Sequence, residues 1–424
     1  MTKSELIKEY NLTEGQFNGT ETVGGDLDLS SLISIPEGFN PTVGGHLNLY
    51  LLTSIPEWFN PTVGGNLYLS SLTSSPEGFN PTVGGSLDLH SLISIPEGFN
   101  PTVGGSIYLS SLTSIPEGFN PTVGGYLKLS SLTSIPEGFN PTVGGSLNLE
   151  SLTSIPEGFN PTVGGYLHLY SLKSIPKGFN PTVGGYLDLS SLTSIPEGFN
   201  PTVGGHLNLR SLKSIPEGFN PTVGCDLDLS SLTSIPEGFN PTVGGSIYLD
   251  SLKSIPKGFN PTVGGRLTIP YGMSCDKTPL GSTPLTWQNG KYISFDGIFG
   301  ELISHKGNVW KCKYVNKEKI FYVITDGEGR YSHGASLQEA REDLAYKIAD
   351  NTDKEKYKKL PLDTKFTFSE AVRCYRLITG ACSFGTRHFI ESYNISKRKK
   401  YAIKDMITLT EGQYGHNKFK QWFN

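Results

Sequence analysis

From Asp26 to Gly265 the chain spells nearly the same twenty residues twelve times over. A representative unit, Ser106 to Gly125, reads SIYLSSLTSIPEGFNPTVGG. A half unit, Arg266-Leu267-Thr268-Ile269, follows and stops at Pro270. A period of this length means a solenoid or array, because one such unit cannot bury its apolar face without its neighbours. All of the 28 prolines except Pro270, Pro279, Pro284 and Pro361 obey the period, which excludes generic low-complexity disorder. Collagen is excluded too, since glycine does not recur every third residue.

Within a unit, x-Leu-x-Leu-x alternates with period two and predicts a short strand. The Gly-Gly before it permits a tight or left-handed backbone. The Ile-Pro and Asn-Pro steps forbid a helix through those positions. The coil is therefore expected to hold one parallel strand joined by turns or short extended pieces. The unchanging apolar letters are Leu27, Leu29, Leu32, Ile35, Phe39, Val43 and their copies. Stacked coil on coil they make a ladder core, each side chain contributing about 1.5–3 kcal/mol when fully buried. Departures are few: Ser75 stands for an Ile, and Trp58 and Cys225 each stand for a Gly.

The run Leu127 to Glu137, Leu-x-Leu-x-x-Leu-Thr-Ser-Ile-Pro-Glu, resembles the short leucine-rich repeats of bacterial effector proteins. It is more similar still to phage and bacterial repeat proteins built from Gly-Gly-Ser-Leu-Asp-Leu and Leu-Thr-Ser-Leu-Pro-Glu-Gly units. The resemblance covers residues 22–269 and implies a mainly β chain. The chain is expected to be a right-handed parallel solenoid of about 12 leucine-rich-repeat-like coils followed, from the change of composition after Pro270, by a smaller α+β C-terminal domain. The usual leucine-rich repeat also carries an Asn after the strand, whose side chain bonds backbone along the stack. Here Ser30-Ser31-Leu32 follows Leu29, so the turn is expected to lean on the near-constant serine at Ser31, Ser71 or Ser91. A horseshoe and a two- or three-sided β-solenoid both remain open. The effectors of this repeat type often add a ubiquitin-ligase module with a Cys-x-Asp motif. Cys275 and Asp276 are adjacent rather than spaced, and too few residues follow for that module.

Variation concentrates at strand positions that alternate with the leucines. One column runs from Asp26 through Tyr126, Tyr166, Tyr186 and His206 to Ser246, and a second from Asp28 through Tyr68, Tyr108 and His168 to Tyr248. A third carries Tyr170 and Arg210 among serines. At about 4.8 Å per coil these columns form a face roughly 53 Å long. Tyrosine and arginine are enriched among binding hot spots. The expected partner-binding residues are Tyr68, Tyr108, Tyr126, Tyr166, His168, Tyr170, Tyr186, His206 and Arg210, and the expected partner is a protein. The repeated Glu37 row reads instead as a solvated edge of like charges.

The remaining chain divides as an N-terminal cap (1–25), an exit and linker (270–290) and a basic α+β domain (291–424). Residues 1–269 carry 10 Lys or Arg against 22 Asp or Glu; residues 270–424 carry 25 against 17. Ser4 is expected to open the cap helix. Leu12-Thr13-Glu14-Gly15-Gln16-Phe17 is echoed by Leu409-Thr410-Glu411-Gly412-Gln413-Tyr414. Strands are predicted at Lys291–Phe295, Gly300–His305, Val309–Tyr314 and Ile320–Thr325. A capping box at Ser336 and Glu339 should open a helix to about Ala349. Ser369 should open another to about Ile378, with further helices near Thr386–Tyr393 and after Tyr401. Tyr331 to Ala340 resembles the strand-to-helix turn of small antitoxin-like folds, which implies a local fold and no activity.

Catalysis would have to start from Cys374, Cys382 and His388, whose types suit a thiolate and its base. Those three also lack the close pair and fourth ligand of a zinc site. No phosphate loop, paired-histidine metal helix or serine elbow is present in the sequence. No cofactor and no metal are expected. Lys397, Arg398, Lys399 and Lys400, with Lys354 to Lys359 and interleaved tyrosines, make nucleic acid the alternative partner. No stretch is apolar enough to span a membrane, and the opening residues lack a signal-peptide core. Five irregularly spaced cysteines fit a reducing cytoplasm. The sequence thus reads as a non-enzymatic cytoplasmic scaffold, against an effector with a Cys-centred enzymatic domain.

Overall fold

The computed structural model describes the chain except for Met1, Ser282, 296–297, 349–353, Cys382, 397–398 and Asn424, and except for the side chains of Tyr346, Ser383, Phe384 and His388. It forms two compact units. The first is Met1–Leu280 with Leu285–Gly300 and Val315–Lys317; the second is Gly281–Pro284, Glu301–Tyr314 and Glu318–Asn424.

The first unit is a parallel β-solenoid of about 13 coils, as the period requires. Each coil carries two strands rather than the one expected, for example Thr122–Val123 and Leu127–Lys128. Identical positions pair twenty residues apart, Val123 with Val143 and Leu127 with Leu147. The result is a 14-stranded sheet of Thr-Val dipeptides and a 13-stranded sheet of Leu-x dipeptides. Thr-Val is two residues long, so no alternation betrays it, yet both residues are β-branched and suit a strand. The Thr-Val sheet outruns the repeats, taking in Thr22–Val23 at one end and Thr278–Pro279 at the other.

The glycines do two jobs, divided differently from the sequence expectation. The left-handed residue is the Gly after Glu, such as Gly138 at φ 78°, and not either member of the Gly-Gly pair. That pair is needed for close approach: a Cβ on Gly144 would lie 2.6 Å from the Gly124 carbonyl oxygen, and one on Gly145 2.5 Å from that of Gly125. Trp58, where other coils have the left-handed Gly, turns without positive φ and stands exposed.

Between the sheets the predicted apolar letters are buried, with Leu127, Leu129 and Leu132 fully so. Phenylalanines stack from Phe79 to Phe259 with ring centroids 6.0–6.3 Å apart. Beside them runs an asparagine ladder at the Asn-Pro step. Asn140 Oδ1 accepts the Asn160 backbone N–H at 2.7 Å, and Asn140 Nδ2 donates to the Gly158 carbonyl at 3.1 Å. The same bond links Asn40 to Asn60 and Asn240 to Asn260. This ladder ties each coil to the next along the Asn-Pro step. In the column of Ser31, Ser71 and Ser91 one described bond of the expected kind occurs, Ser151 Oγ to the Ser130 carbonyl, and the turn after the strand closes through backbone, as in Leu132 N–H to the Leu129 carbonyl.

At the N-terminus two short helices, α1 (Lys3–Glu9) and α2 (Glu14–Asn18), close the core. Thr2, not Ser4, caps α1, because Thr2 with Glu5 completes a reciprocal capping box. Phe17 of α2 extends the ring stack, 5.3 Å from Phe39. Residues after the solenoid return to it along the Thr-Val sheet. Trp287 Nε1 donates to the Thr222 carbonyl, Gln288 Nε2 bridges the Thr182 and Thr202 hydroxyls, and Asn316 Nδ2 donates to the Val143 and Thr162 carbonyls. Trp287, Tyr292, Phe299 and Val315 form their own apolar cluster there.

In the second unit, strands Val309–Lys313, Ile320–Thr325 and Tyr331–Gly334 pair antiparallel. Helices α3 (Leu337–Ile348), α4 (Phe368–Thr379), α5 (Ser383–Ser392), α6 (Ile403–Leu409) and α7 (His416–Phe423) follow. Ser336 Oγ accepts the Glu339 N–H as expected. The α4 cap is Thr367 rather than Ser369, again because Thr367 and Glu370 form a full capping box. The two echoed hexapeptides differ in geometry: Gly15 lies inside α2, whereas Gly412 follows α6 at φ 76°. Among the described residues no helix is long and apolar enough to cross a membrane.

Candidate functional site

The outward residues of the Leu-x sheet fall into two chemical classes. In the first column a short acceptor takes the backbone N–H of the next coil. Asp26 Oδ1 accepts from His46, His46 Nδ1 from Asn66, Asn66 Oδ1 from Ser86, and Ser106 Oγ from Tyr126. Tyr126, Tyr166 and Tyr186 hold their only side-chain oxygen at the far end of a ring, away from that amide. In the second column Asp or Asn accepts the N–H two residues on: Asp88 from His90, Asn148 from Glu150, Asp188 from Ser190, Asn208 from Arg210. Tyr68, Tyr108, Lys128 and Tyr248 replace that acceptor with a ring or a cation. Most Asp, Asn and Ser choices on this face therefore hold up the coil, as do His46 and His206 through Nδ1, and the tyrosines do not.

The aromatic residues form neighbouring groups. His46 and Tyr68 lie 6.2 Å apart, and Tyr68 accepts from Asn66 Nδ2. His90, paired to Asp88, stacks on Tyr108 at 5.3 Å and 10°. Tyr108, Tyr126, Lys128 and His168 line a groove of about 200 Å³. A larger one, about 370 Å³, is lined by Tyr166, Tyr186, His206, Asn208, Asp226, Asp228 and Tyr248 over Leu207. Its rings stand on edge to one another: Tyr166 to Tyr186 at 87°, Tyr186 to His206 at 76°. The Tyr186 hydroxyl accepts from Asn208 Nδ2 at 2.6 Å. Burial raises the Tyr186 phenol above its ordinary range, and the Asp188 and Asp228 carboxylates push the same way against the Asn208 bond.

Tyr166, Tyr186 and His206 are thus brought together, while Tyr170 and Arg210 stand outside the groove lining. Tyr170 is exposed, and desolvation followed by the Glu150 carboxylate raises its phenol. Asp226, Asp228 and Tyr248 join the groove and were not singled out from sequence. Their signal was a tyrosine one coil beyond two aspartates, readable only once the register is known.

In the second unit Cys374 is wholly buried on α4, and burial pushes its thiol up to about 12. A thiol so held is a packing group, since the nucleophile is the thiolate. Cys382 lies outside the described residues, and so does the side chain of His388, on α5. Lys399 and Lys400 are exposed; Lys397 and Arg398 lie outside the described residues. An apolar cavity of about 310 Å³ is walled by Val372, Tyr375, Phe389, Ile390, Tyr401 and Met406 among others, and the described residues that line it include no Cys, His, Asp or Glu. Among the described residues no three His, Cys, Asp or Glu side chains gather in a metal-binding group. No family model, curated protein or solved structure matches the chain.

Proposed function

We propose that this chain is a non-enzymatic cytoplasmic scaffold that binds a partner protein through the outward residues of its Leu-x sheet. The observation that carries the reading is a contrast in exposure. Thr62, Thr82, Thr102, Thr122 and Thr142 on the other sheet are exposed and identical, whereas the second column of the Leu-x sheet is half-buried and varied. Exposure alone therefore does not explain where the coils differ. Tyrosine in place of a backbone acceptor forgoes a hydrogen bond of about 0.5–1.5 kcal/mol, and what it adds is contact area of the kind binding sites use. The likeness of the repeat letters to phage and bacterial repeat proteins supports a role in sequestering a host or defence factor.

The test is to replace Tyr166, Tyr170 and Arg210 with serine in the full-length protein and to pull down its partner from the cell that makes it. The scaffold reading expects capture to fall at least tenfold with the melting temperature kept. Undiminished capture removes this part of the face from the reading.

A further inference from the structure

We propose that the groove at Tyr166, Tyr186, His206, Asp226, Asp228 and Tyr248 receives an arginine side chain of the partner protein. The proposal rests on the scaffold reading and names the chemistry of its contact. Three tyrosine rings and two carboxylates line one cleft. The near-perpendicular rings make a corner that can face a cation with more than one π-surface, which cation–π attraction favours within about 6 Å of a centroid. A sugar would stack on a single broad ring face, and edge-to-face packing offers a poorer platform for it.

The charges select the same ligand. Among the described residues no Lys or Arg pairs with Asp226 or Asp228; His206 Nδ1 lies 3.3 Å from Asp226 Oδ2 and accepts the Asp226 backbone N–H at 3.4 Å. Each aspartate is anchored through one oxygen. Asp226 Oδ1 accepts the Ser246 N–H at 2.6 Å and Asp228 Oδ1 the Ser230 N–H at 3.0 Å. The carboxylates are thereby preorganised before a ligand arrives, which lowers the cost of binding. A planar guanidinium can stack on a phenol and hydrogen-bond two acceptors together, which an ammonium cannot. The acidic balance of residues 1–269 adds long-range attraction for such a ligand.

The probe is a fluorescein-labelled peptide, Gly-Ser-Arg-Gly-Arg-Ser-Gly, with a twin bearing neutral citrulline at both arginines, titrated by anisotropy at low salt. Full-length protein should bind the arginine peptide saturably and the citrulline twin at least tenfold more weakly. The double variant Asp226→Asn/Asp228→Asn keeps both backbone acceptors and removes both charges. It should lose about tenfold in affinity, roughly 1.4 kcal/mol, with an unchanged melting temperature; Tyr248→Ser should also weaken binding. Absent saturable binding, equal binding of the twin, or an unaffected double variant would each overturn the proposal. If a captured partner is lost with the Tyr166, Tyr170 and Arg210 replacements but kept by the double variant, the arginine pocket falls while the scaffold stands.

Discussion

The solenoid's two sheets are built from the same coils at the same spacing, yet one repeats itself and the other does not. The Thr-Val sheet shows the same outward residue from Thr42 to Thr262, and the returning segment with Trp287, Gln288 and Asn316 lies on part of it. The Leu-x sheet changes its outward residues from coil to coil. Both faces need their strands paired and their inward residues apolar, so those two needs do not set the difference. On the Leu-x sheet many outward residues are still fixed by folding, as acceptors for amides. What remains after those are set aside is mostly tyrosine.

The largest expected effect is one that both sheets share. Phe139→Ala opens the ring stack midway and should cost about 3–5 kcal/mol. Hydrogen exchange should then rise alike at Val143 and Leu147, on opposite sheets; a loss confined to one sheet would mean the coil is not the cooperative unit. Next comes Asn140→Ala, which deletes an acceptor and a donor of the ladder and should cost about 1–3 kcal/mol in urea unfolding. The smaller effects separate the sheets. Ser146→Ala removes the acceptor of the Tyr166 N–H at 2.9 Å and should cost about 1 kcal/mol. Tyr126→Ser should be neutral or stabilising, because a serine there can accept the next coil's amide as Ser106 does for Tyr126. A clear destabilisation by Tyr126→Ser would return the tyrosines to the class of structural residues.

The period and the buried letters were legible because each recurs and each is apolar; Leu129, Phe139 and Val143 need no structure to be assigned to a core. The second strand was not legible, since Thr142-Val143 is too short to show alternation. Asn140 was visible as the residue before a proline and was read only as a turn. Its second task, holding the next coil, depends on a partner twenty residues away. The same holds for the groove: Tyr186, Asp228 and Tyr248 lie far apart in the chain and meet only when coils stack in register. Cap positions were missed by two residues, at Thr2 and Thr367, because serine and threonine compete as caps and the reciprocal glutamate decides.

The most direct test of the central claim compares the two faces in one experiment. Two full-length variants are prepared, one with Tyr126, Tyr166 and Tyr186 changed to serine, the other with the exposed Thr82, Thr102 and Thr122 changed to serine. Partner capture from the source cell is then quantified for each against the unaltered protein. The account predicts loss of the partner with the tyrosine variant and full capture with the threonine variant; full capture by the tyrosine variant, or equal loss by both, would contradict it.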